Sequence, residues 1–260
     1  MNQNPQWNPA DYAANSAVQL AWARENIARL QLRGDEHILD VGCGDGKITA
    51  ELAQAVPRGS ATGIDASEPM IAFAREKFPG VEFHLMDARK IQFAKIFDLI
   101  FSNAALHWVD DQEAFLRGAA TVLRPGGRLV VSCGGRGNGQ TMVTAIRAVM
   151  RLKRWRDYFR GMPMPYFFYA PDEYQVWLRR AGFQPGSVRL TPKDAVYDGF
   201  IGLKIWLRTA WLPYTQRLPE TEREDFISVV TERYLARQPL DSQGKAHVRM
   251  VRLEIDAVKG

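Results

Sequence analysis

The stretch HILDVGCGDG, residues 37–46, decides the fold class. Its first five residues are a short, mostly apolar run that is typical of a buried strand, and residues 42–46 contain three glycines with the spacing G-x-G-x-G. A helical pattern then continues to about Val56. A glycine-rich turn between a strand and a helix lets backbone amides approach a polar ligand closely, because no Cβ is in the way. The stretch therefore predicts an α/β fold with a ligand site at the end of its first strand.

The spacing of these glycines excludes two common nucleotide-binding turns. The dinucleotide fingerprint needs G-x-G-x-x-G, and the P-loop needs a Gly-Lys-Ser/Thr ending, neither of which is present. Asp40 lies two residues before the first glycine. A carboxylate there would repel a pyrophosphate, but it can accept a hydrogen bond from an ammonium group or a bound water. The turn therefore favours a zwitterionic cofactor.

Outside this stretch, strands alternate with helices. Strands are predicted at Ala61–Ile64, Val81–Leu85, Phe97–Ser102 and Leu129–Cys133. Helices are predicted at residues 10–32, at Pro69–Lys77 and up to Leu123, the last opening with a capping box between Asp110 and Glu113. This order predicts right-handed crossovers and a mainly parallel sheet.

The last third of the chain has a different pattern. We predict a helix at Pro171–Ala181, a short strand containing Val188 and Leu190, and a largely helical region at residues 199–236. Residues 251–257 alternate apolar and charged side chains, which is typical of a half-buried strand. Such a strand suits an antiparallel addition to the sheet better than a central parallel position.

The amino-acid composition excludes several other classes of protein. The chain has 260 residues, of which 46% are hydrophobic and 24% charged, so disordered and fibrous classes are excluded. No apolar run approaches the ~18 residues that span a bilayer, and Met1–Pro5 lacks the features of a leader. Two cysteines, Cys43 and Cys133, cannot form a disulfide framework or a multi-cysteine metal site. We expect a cytoplasmic protein without a metal and without a membrane partner.

Two local biases suggest a binding surface. Residues 147–160 carry six basic side chains against one acidic side chain, which indicates either an anionic partner or a solvated helix face. Aromatic residues are dense in two regions, and as a group they predict an apolar pocket over the carboxyl edge of the sheet: Trp155, Tyr158, Phe159, Tyr166, Phe167, Phe168, Tyr169, Trp206, Trp211 and Tyr214.

Five segments, in order, resemble the motifs of the class I S-adenosylmethionine-dependent methyltransferases. They are residues 40–46, 63–67, 86–88, 97–103 and 123–127. The resemblance implies a Rossmann-like, seven-stranded, mainly parallel sheet with helices on both faces and an antiparallel last strand. It also implies S-adenosyl-L-methionine as cofactor and S-adenosyl-L-homocysteine as product. In this family pattern Asp65 holds the ribose hydroxyls and Asp87 meets the adenine amino group. The implied cofactor-binding residues are Asp40, Gly42, Gly44, Asp65, Ala66, Met70, Asp87, Ala88 and Asn103.

The same resemblance implies one methyltransferase domain over residues 1–260. Its core would comprise about residues 30–135, 171–192 and 246–258, and a helical cap would comprise about residues 138–170 and 198–238.

The methyl acceptor is narrowed by motifs that are absent. Residues 102–105 read Ser-Asn-Ala-Ala, without the Asn/Asp-Pro-Pro-Tyr/Phe motif of enzymes that methylate planar amino nitrogens. The acidic cluster of magnesium-dependent catechol methyltransferases is also absent. More narrowly, the chain is similar to the group containing trans-aconitate, malonyl-carrier-protein and juvenile-hormone-acid methyltransferases. The matching segments are residues 12–19, 105–109, 169–174 and 207–213. Several relatives in this pattern have Gln where this chain has His107, so the resemblance does not transfer the acceptor.

A small anionic acceptor, most simply a carboxylate oxygen, is therefore predicted. We assign catalytic roles to Tyr12 and His107, and substrate contacts to Gln19, Trp108 and Arg208, with Arg208 or residues 147–160 as anionic clamps. A hydroxyl or amine acceptor with His107 as general base is the alternative. An RNA methyltransferase and a non-catalytic cofactor-binding module are weaker alternatives, because no RNA module is recognisable and the cofactor motifs are intact. The expected oligomeric state is a monomer or homodimer.

Overall fold

The computed structural model describes residues 6–260. The expectation that Met1–Pro5 lacks the features of a leader concerns residues outside this described range. Ten α-helices lie within the described residues: α1 (Pro9–Asn15), α2 (Ala17–Ala28), α3 (Lys47–Ala55), α4 (Glu68–Lys77), α5 (Gln112–Val122), α6 (Gln140–Met150), α7 (Pro171–Arg180), α8 (Gly199–Ala210), α9 (Leu212–Thr215) and α10 (Glu220–Leu235). The strands are β1 (His37–Val41), β2 (Ser60–Asp65), β3 (Glu82–Leu85), β4 (Phe97–Asn103), β5 (Leu123–Gly134), β6 (Phe183–Tyr197) and β7 (Ala246–Lys259). Short 3-10 turns lie at Ala88–Lys90 and Leu106–Trp108.

The strands form one seven-stranded sheet in the order β3-β2-β1-β4-β5-β7-β6. Strands β1 to β5 pair in parallel with their neighbours, whereas β7 pairs antiparallel with β5 through partners such as Val131 and Ile255. The predicted Rossmann-like class and the antiparallel last strand are therefore confirmed.

The central strands are buried on both faces. In β1, Ile38, Leu39 and Val41 have no accessible surface, as expected for a parallel strand covered by helices on both sides. This burial explains why the run reads as continuous apolar sequence rather than as an alternation. It also fixes the carboxyl end of β1, where the chain enters the glycine-rich turn.

Two compact units divide the chain, and we name them by their main content. The sheet unit comprises Asn8–Arg136, Tyr166–Thr191 and Arg252–Gly260. The helical unit comprises Gln6 and Trp7, Gly137–Pro165 and Pro192–Val251. Within the helical unit, aromatic packing is prominent: the Trp155 ring meets Phe226 edge-on at 5.4 Å, and Trp206 meets Trp211 edge-on at 5.6 Å. The single-domain layout with a cap stays a prediction.

Several element boundaries differ from the predicted ones. The N-terminal helix is interrupted at Ser16, which ends α1 and begins α2. The capping box at Asp110 is wrong: the N-cap of α5 is Asp111, whose carboxylate accepts a hydrogen bond from the Ala114 N–H at 2.8 Å. Asp110 instead pairs with the Arg89 guanidinium at 2.8 Å. Both adjacent aspartates are suitable N-cap residues, and this ion pair engages the first one elsewhere.

Two strands are longer than predicted. Strand β5 begins at Leu123 because that residue already pairs with Phe97, and the register with β4 then shifts between Phe97 and Leu99. The turn residues 125–127 are thus absorbed into an irregular strand. Strand β6 runs over 15 residues, although its burial pattern is mostly intermediate or exposed. The prediction found only its apolar centre because the flanking residues lack a clean alternation.

Candidate active site

The glycine-rich turn occupies the carboxyl end of β1 and is held in a left-handed backbone conformation. Gly42 has φ +78°, and a Cβ there would lie 2.1 Å from the Ala105 Cβ. Gly44 has φ +54°, and a Cβ there would clash with nothing, since its nearest neighbour would be the Tyr12 ring at 4.0 Å. Gly42 is therefore required by packing, whereas Gly44 leaves room for a ligand beside the backbone.

A cleft opens beside this turn, at the carboxyl end of β1. It unites six of the predicted site residues, which come from α1, α2, β1, the turn and β4. They are Tyr12, Gln19, Asp40, Gly42, Gly44 and Asn103.

Three carboxylates lie at the cleft or directly behind it. Asp40 is buried, and its carboxylate accepts a hydrogen bond of 2.7 Å from the Thr49 hydroxyl. Burial, opposed by the Thr49 hydrogen bond and assisted by the charges of Asp65 and Asp45, raises the pKa of Asp40 to about 7. Burial also raises the pKa of Asp65 above its usual range. The protein thus concentrates negative charge where water can stabilise it only weakly, which favours a cationic ligand.

Asp65 is fixed by the backbone around it. One carboxylate oxygen accepts a hydrogen bond from the Gly44 N–H at 3.0 Å, and the other accepts one from the Ser67 N–H at 2.8 Å. These bonds tie the end of β2 to the glycine-rich turn and hold the carboxylate in one orientation. A fixed carboxylate of this kind can accept hydrogen bonds from vicinal hydroxyls, as the ribose prediction requires.

Asp45 supplies a direct test of whether the cleft fits a cationic cofactor. Its Oδ2 atom is buried without a hydrogen bond, although the Lys47 Nζ lies 3.3 Å away as an ion-pair partner. A buried carboxylate oxygen that accepts no hydrogen bond, on a residue of the cleft lining, fits a ligand that carries an ammonium or sulfonium group. The residues present therefore fit S-adenosylmethionine.

Five of the predicted cofactor residues lie outside the cleft lining: Asp65, Ala66, Met70, Asp87 and Ala88. Met70 is buried in α4, whereas Ala66 is exposed after β2 and Ala88 is half-buried. The Asp87 carboxylate is engaged by the Arg89 guanidinium at 2.5 Å, which lowers its pKa. The role of Asp87 toward adenine stays a prediction, as do the roles of the other four.

His107 is held as a neutral hydrogen-bonded ring. Its Nδ1 atom accepts a hydrogen bond of 3.2 Å from the Gly134 N–H at the end of β5. Burial, assisted by the positive charge of Arg252, lowers the pKa of His107 to about 3. Because Nδ1 serves as acceptor, the ring proton of the neutral form lies on Nε2. The Nε2 atom of His107 is therefore a hydrogen-bond donor.

An aromatic group surrounds this histidine. The His107 ring lies 5.6 Å from Trp108, 6.2 Å from Tyr166 and 6.0 Å from Phe168, and the last two stack on each other at 5.5 Å. The Phe167 N–H also donates to the His107 carbonyl at 2.9 Å. These contacts bring the predicted residues His107 and Trp108 together in a largely apolar environment, which weakens competition from water.

Arg252 is a charged residue near this site that the sequence analysis missed. It is only 4% exposed, and its Nη2 donates to the Ser132 carbonyl and, at 3.3 Å, to the Asn103 side-chain oxygen. Its guanidinium lies 5.4 Å from the centre of the Trp22 ring. The alternation in residues 251–257 predicted a solvent-facing arginine, but the Arg252 side chain is buried against the Trp22 ring and the Ser132 side chain.

The other predicted anion clamps lie in the helical unit. Arg208 is exposed on α8, and its role stays a prediction. Within the basic stretch, Arg154 forms ion pairs with Glu222 at 2.8 Å and Asp225 at 2.6 Å, and Arg160 pairs with Asp157 at 2.8 Å. Part of the positive charge of this stretch is therefore neutralised locally.

Across residues 6–260, no cluster of three or more His, Cys, Asp or Glu side chains could hold a metal ion. Within the same residues, no helix combines the length and apolar character that crossing a bilayer requires.

Comparison with known proteins agrees with this geometry. The family model of a methyltransferase domain matches residues 38–127. An uncharacterized methyltransferase of Schizosaccharomyces pombe is 30% identical, covering 97% of this chain and 98% of its own. The structure of phosphoethanolamine N-methyltransferase 2 from Haemonchus contortus with S-adenosyl-L-methionine superposes with a TM-score of 0.61 at 15% identity, covering 96% of this chain and 56% of that one. The chain belongs to the class I S-adenosylmethionine-dependent methyltransferases, and S-adenosylmethionine is its cofactor.

Some relatives of this chain carry names that state their methyl acceptor. The trans-aconitate 2-methyltransferase of Shigella flexneri is 32% identical, covering 96% of this chain and 97% of its own. The predicted resemblance to the group that contains this enzyme is thereby confirmed.

Proposed function

We propose that the protein transfers a methyl group to a carboxylate oxygen of a small organic acid. The observation that carries this proposal is the hydrogen bond from the Gly134 N–H to the His107 Nδ1. With Nδ1 as acceptor, the neutral ring carries its proton on Nε2, and the lowered pKa keeps the ring neutral at physiological pH. In this geometry His107 has no free lone pair with which to remove a proton.

Tyr12 does not replace His107 as a base. Burial and the charges of Asp45 and Asp65 raise the pKa of its phenol well above the usual value, so the group stays protonated at neutral pH. Both candidate catalytic side chains are therefore hydrogen-bond donors. Donors suit an acceptor that is already ionised, and a carboxylate is ionised at neutral pH without help from the protein.

The protein then has to align the acceptor carboxylate with the methyl group of the cofactor and to exclude water from that carboxylate. When bound, S-adenosylmethionine supplies an electrophilic methyl group on a sulfonium sulfur. The acceptor oxygen forms the new bond as the sulfur–carbon bond breaks, which yields a methyl ester and S-adenosylhomocysteine and releases no proton. Donors such as His107 and Tyr12 orient the carboxylate, and the aromatic residues around His107 exclude water from it.

We further propose which part of the cofactor or acceptor each predicted binding residue contacts. The fixed carboxylate of Asp65 would accept hydrogen bonds from the ribose, and the buried acids Asp40 and Asp45 would balance the cationic part of the cofactor. Met70, Ala66 and Ala88 would line the site toward the adenine. Gln19 and Trp108 would contact the acceptor. The similarity to trans-aconitate 2-methyltransferases at 32% identity supports an acid as acceptor.

The test is a panel of acceptors with methyl-labelled S-adenosylmethionine. We would assay trans-aconitate, succinate, benzoate, phenol and benzylamine, together with the methyl esters of the acids as matched controls. We expect a product from at least one acid, loss of its label in mild base, and no product from the fully esterified control. Base-stable labelling of phenol or benzylamine, without esterification of any acid, would favour the hydroxyl or amine alternative and overturn the proposal.

A further inference from the structure

Gln112 is a buried polar side chain at the start of α5. It is only 1% exposed, although it is the first residue of its helix. The cap of this helix is supplied by the Asp111 carboxylate, so the Gln112 amide is not needed for capping. Burying an amide is costly unless its N–H groups and its oxygen find hydrogen-bond partners. The partners of Gln112 therefore show which parts of the chain it holds.

The amide nitrogen of Gln112 joins both ends of the 3-10 turn that carries His107 and Trp108. Nε2 donates to the Leu106 carbonyl at 2.6 Å and to the Val109 carbonyl at 3.3 Å. Leu106 directly precedes His107, and Val109 directly follows Trp108. The amide therefore fixes the backbone of the two predicted site residues from both sides.

The same nitrogen also holds the aromatic segment beside His107, residues 166–168. Nε2 donates to the Phe167 carbonyl at 3.4 Å, and the Phe167 N–H donates to the His107 carbonyl at 2.9 Å. The rings on either side, Tyr166 and Phe168, are those that lie 6.2 Å and 6.0 Å from the His107 ring. One amide thus joins the turn and the aromatic segment into a single support for His107. Both segments belong to the sheet unit.

The amide oxygen of Gln112 is fixed by α7. It accepts a hydrogen bond from the hydroxyl of Tyr174, a fully buried side chain. Burial raises the pKa of Tyr174 well above its usual value, so the hydroxyl keeps its proton and can donate. Backbone carbonyls only accept hydrogen bonds, so the nitrogen of the amide must face them and the oxygen must face Tyr174. The orientation of the amide is therefore unique.

We propose that Gln112 is a positioning residue for the methyl transfer, because it fixes the backbone from which His107 presents its Nε2–H to the acceptor. The kinetic part of this inference rests on the proposed function. The Gly134 N–H holds the His107 ring at Nδ1, but one hydrogen bond to a ring sets its position only if the backbone beneath it is also fixed. A displacement of about 1 Å in an orienting group costs on the order of 100-fold in rate.

The experiment compares Gln112→Met, which can neither donate nor accept a conventional hydrogen bond, with Gln112→Glu and Tyr174→Phe. Gln140→Met is the matched control, because Gln140 is the exposed first residue of α6. Nitrogen NMR of protein with isotope-labelled histidine reports the tautomer and titration of His107, and the signals that His107→Gln lacks assign it. Initial rates give kcat and KM for the acid with the highest turnover in the panel above. Calorimetry with S-adenosylhomocysteine reports the cofactor site.

In wild-type protein, the His107 signals should show the Nε2–H tautomer and stay constant from about pH 5.5 to 8.5. In Gln112→Met they should titrate or show both tautomers, because the turn is no longer held. The same variant should lose about 10- to 100-fold in kcat. Its affinity for S-adenosylhomocysteine should stay within about twofold, since none of the hydrogen-bond partners of Gln112 lines the cleft. Gln140→Met should behave as wild type.

The other two variants separate the donor from the acceptor of the amide. Tyr174→Phe removes only the bond to the oxygen, so its loss in kcat should be about tenfold or less. In Gln112→Glu, burial among carbonyls raises the pKa of the new carboxyl, whose protonated form donates one hydrogen bond. That donor is present below the raised pKa and is lost above it. The kcat of Gln112→Glu should therefore fall between about pH 6.5 and 8.5, where the wild-type rate is flat.

A Gln112→Met variant with the kcat and the His107 signals of wild-type protein would overturn the inference. A loss that Gln140→Met shares, or an equal loss of affinity for S-adenosylhomocysteine, would also overturn it, because the effect would then be general. If Gln112→Met does not fold, Gln112→Glu decides: a flat pH profile at the wild-type rate contradicts the inference. The NMR spectra need no acceptor. Wild-type protein that esterifies no acid would therefore overturn the proposed function, while the spectra would still decide whether Gln112 positions His107.

Discussion

The carboxylate of Asp65 accepts a hydrogen bond of 3.0 Å from the backbone N–H of Gly44, which joins the end of β2 to the turn after β1. The two residues are 21 positions apart, and each belongs to a motif that the sequence shows separately. The bond makes the glycine turn and the acidic strand end one rigid surface. A change at Asp65 should therefore affect both the ligand contacts of the carboxylate and the geometry of the turn.

Replacing Asp65 by Ala should weaken binding of S-adenosylhomocysteine by roughly 1 to 3 kcal/mol, the value of lost charge-assisted hydrogen bonds. Calorimetry of the purified protein measures this directly. Asp172→Ala, at an exposed position in the first turn of α7, is the control for removing an aspartate. Unchanged affinity in Asp65→Ala would show that the ribose site lies elsewhere.

Affinity for S-adenosylmethionine should fall as pH falls below 7, and Asp40 is the expected cause. Its pKa of about 7 in the free protein reflects burial and two neighbouring carboxylates. A cationic ligand stabilises the ionised carboxylate and lowers this pKa, so binding releases a proton, and acid must oppose binding. Between pH 7 and pH 5.5 we expect on the order of a tenfold loss of affinity, over a range in which the α-amino group of the ligand stays protonated.

The Asp40→Asn variant is the matched control for this pH dependence. It should bind more weakly at neutral pH, but its affinity should change little between pH 7 and pH 5.5. Titration in buffers of different ionisation enthalpy should show proton release with wild-type protein and much less with the variant. Equal affinity of wild-type protein at both pH values would contradict the assignment.

Gly42→Ala should destabilise the fold by more than Gly182→Ala. Both glycines have positive φ, +78° and +85°, so both substitutions carry the strain of a left-handed alanine, roughly 1 kcal/mol. Only at Gly42 would the new Cβ meet a neighbour, the Ala105 Cβ at 2.1 Å, whereas nothing lies within 4 Å at Gly182. Overpacking adds about 1 to 3 kcal/mol, measurable by denaturant unfolding. Equal losses in the two variants would show that the turn relaxes freely around the methyl group.

Residues 37–46 sufficed to predict the first strand and the cofactor turn, and the alternation of strands and helices after them predicted the sheet, because strand hydrophobicity, glycine spacing and a preceding acid are local features of the sequence. The sequence could not show which distant groups form hydrogen bonds with each other. Whether His107 is a base or a donor depends on Gly134, which is 27 positions away. The burial of Arg252 depends on the strand order, in which β7 inserts beside β5. The first of these long-range facts is the one on which the proposed acceptor chemistry rests.

Replacing His107 by Gln should retain turnover within about tenfold if the acceptor is a carboxylate, because no proton has to be removed. The amide oxygen can accept from the Gly134 N–H while the amide nitrogen donates to the substrate, which reproduces both functions of the neutral ring. His84→Gln, at a half-buried position in β3, controls for the substitution itself.

The pH dependence of the wild-type rate tests the same assignment. Measured at saturating cofactor, so that Asp40 does not contribute, the wild-type rate should be flat from about pH 6.5 to 8.5, since the pKa of His107 lies far below this range. A hydroxyl or amine acceptor would instead make the substitution cost about 10² to 10⁴ in rate and would give wild-type protein a basic limb. A thousandfold loss in His107→Gln, with folding and cofactor affinity intact, would refute the assignment of His107 as a donor.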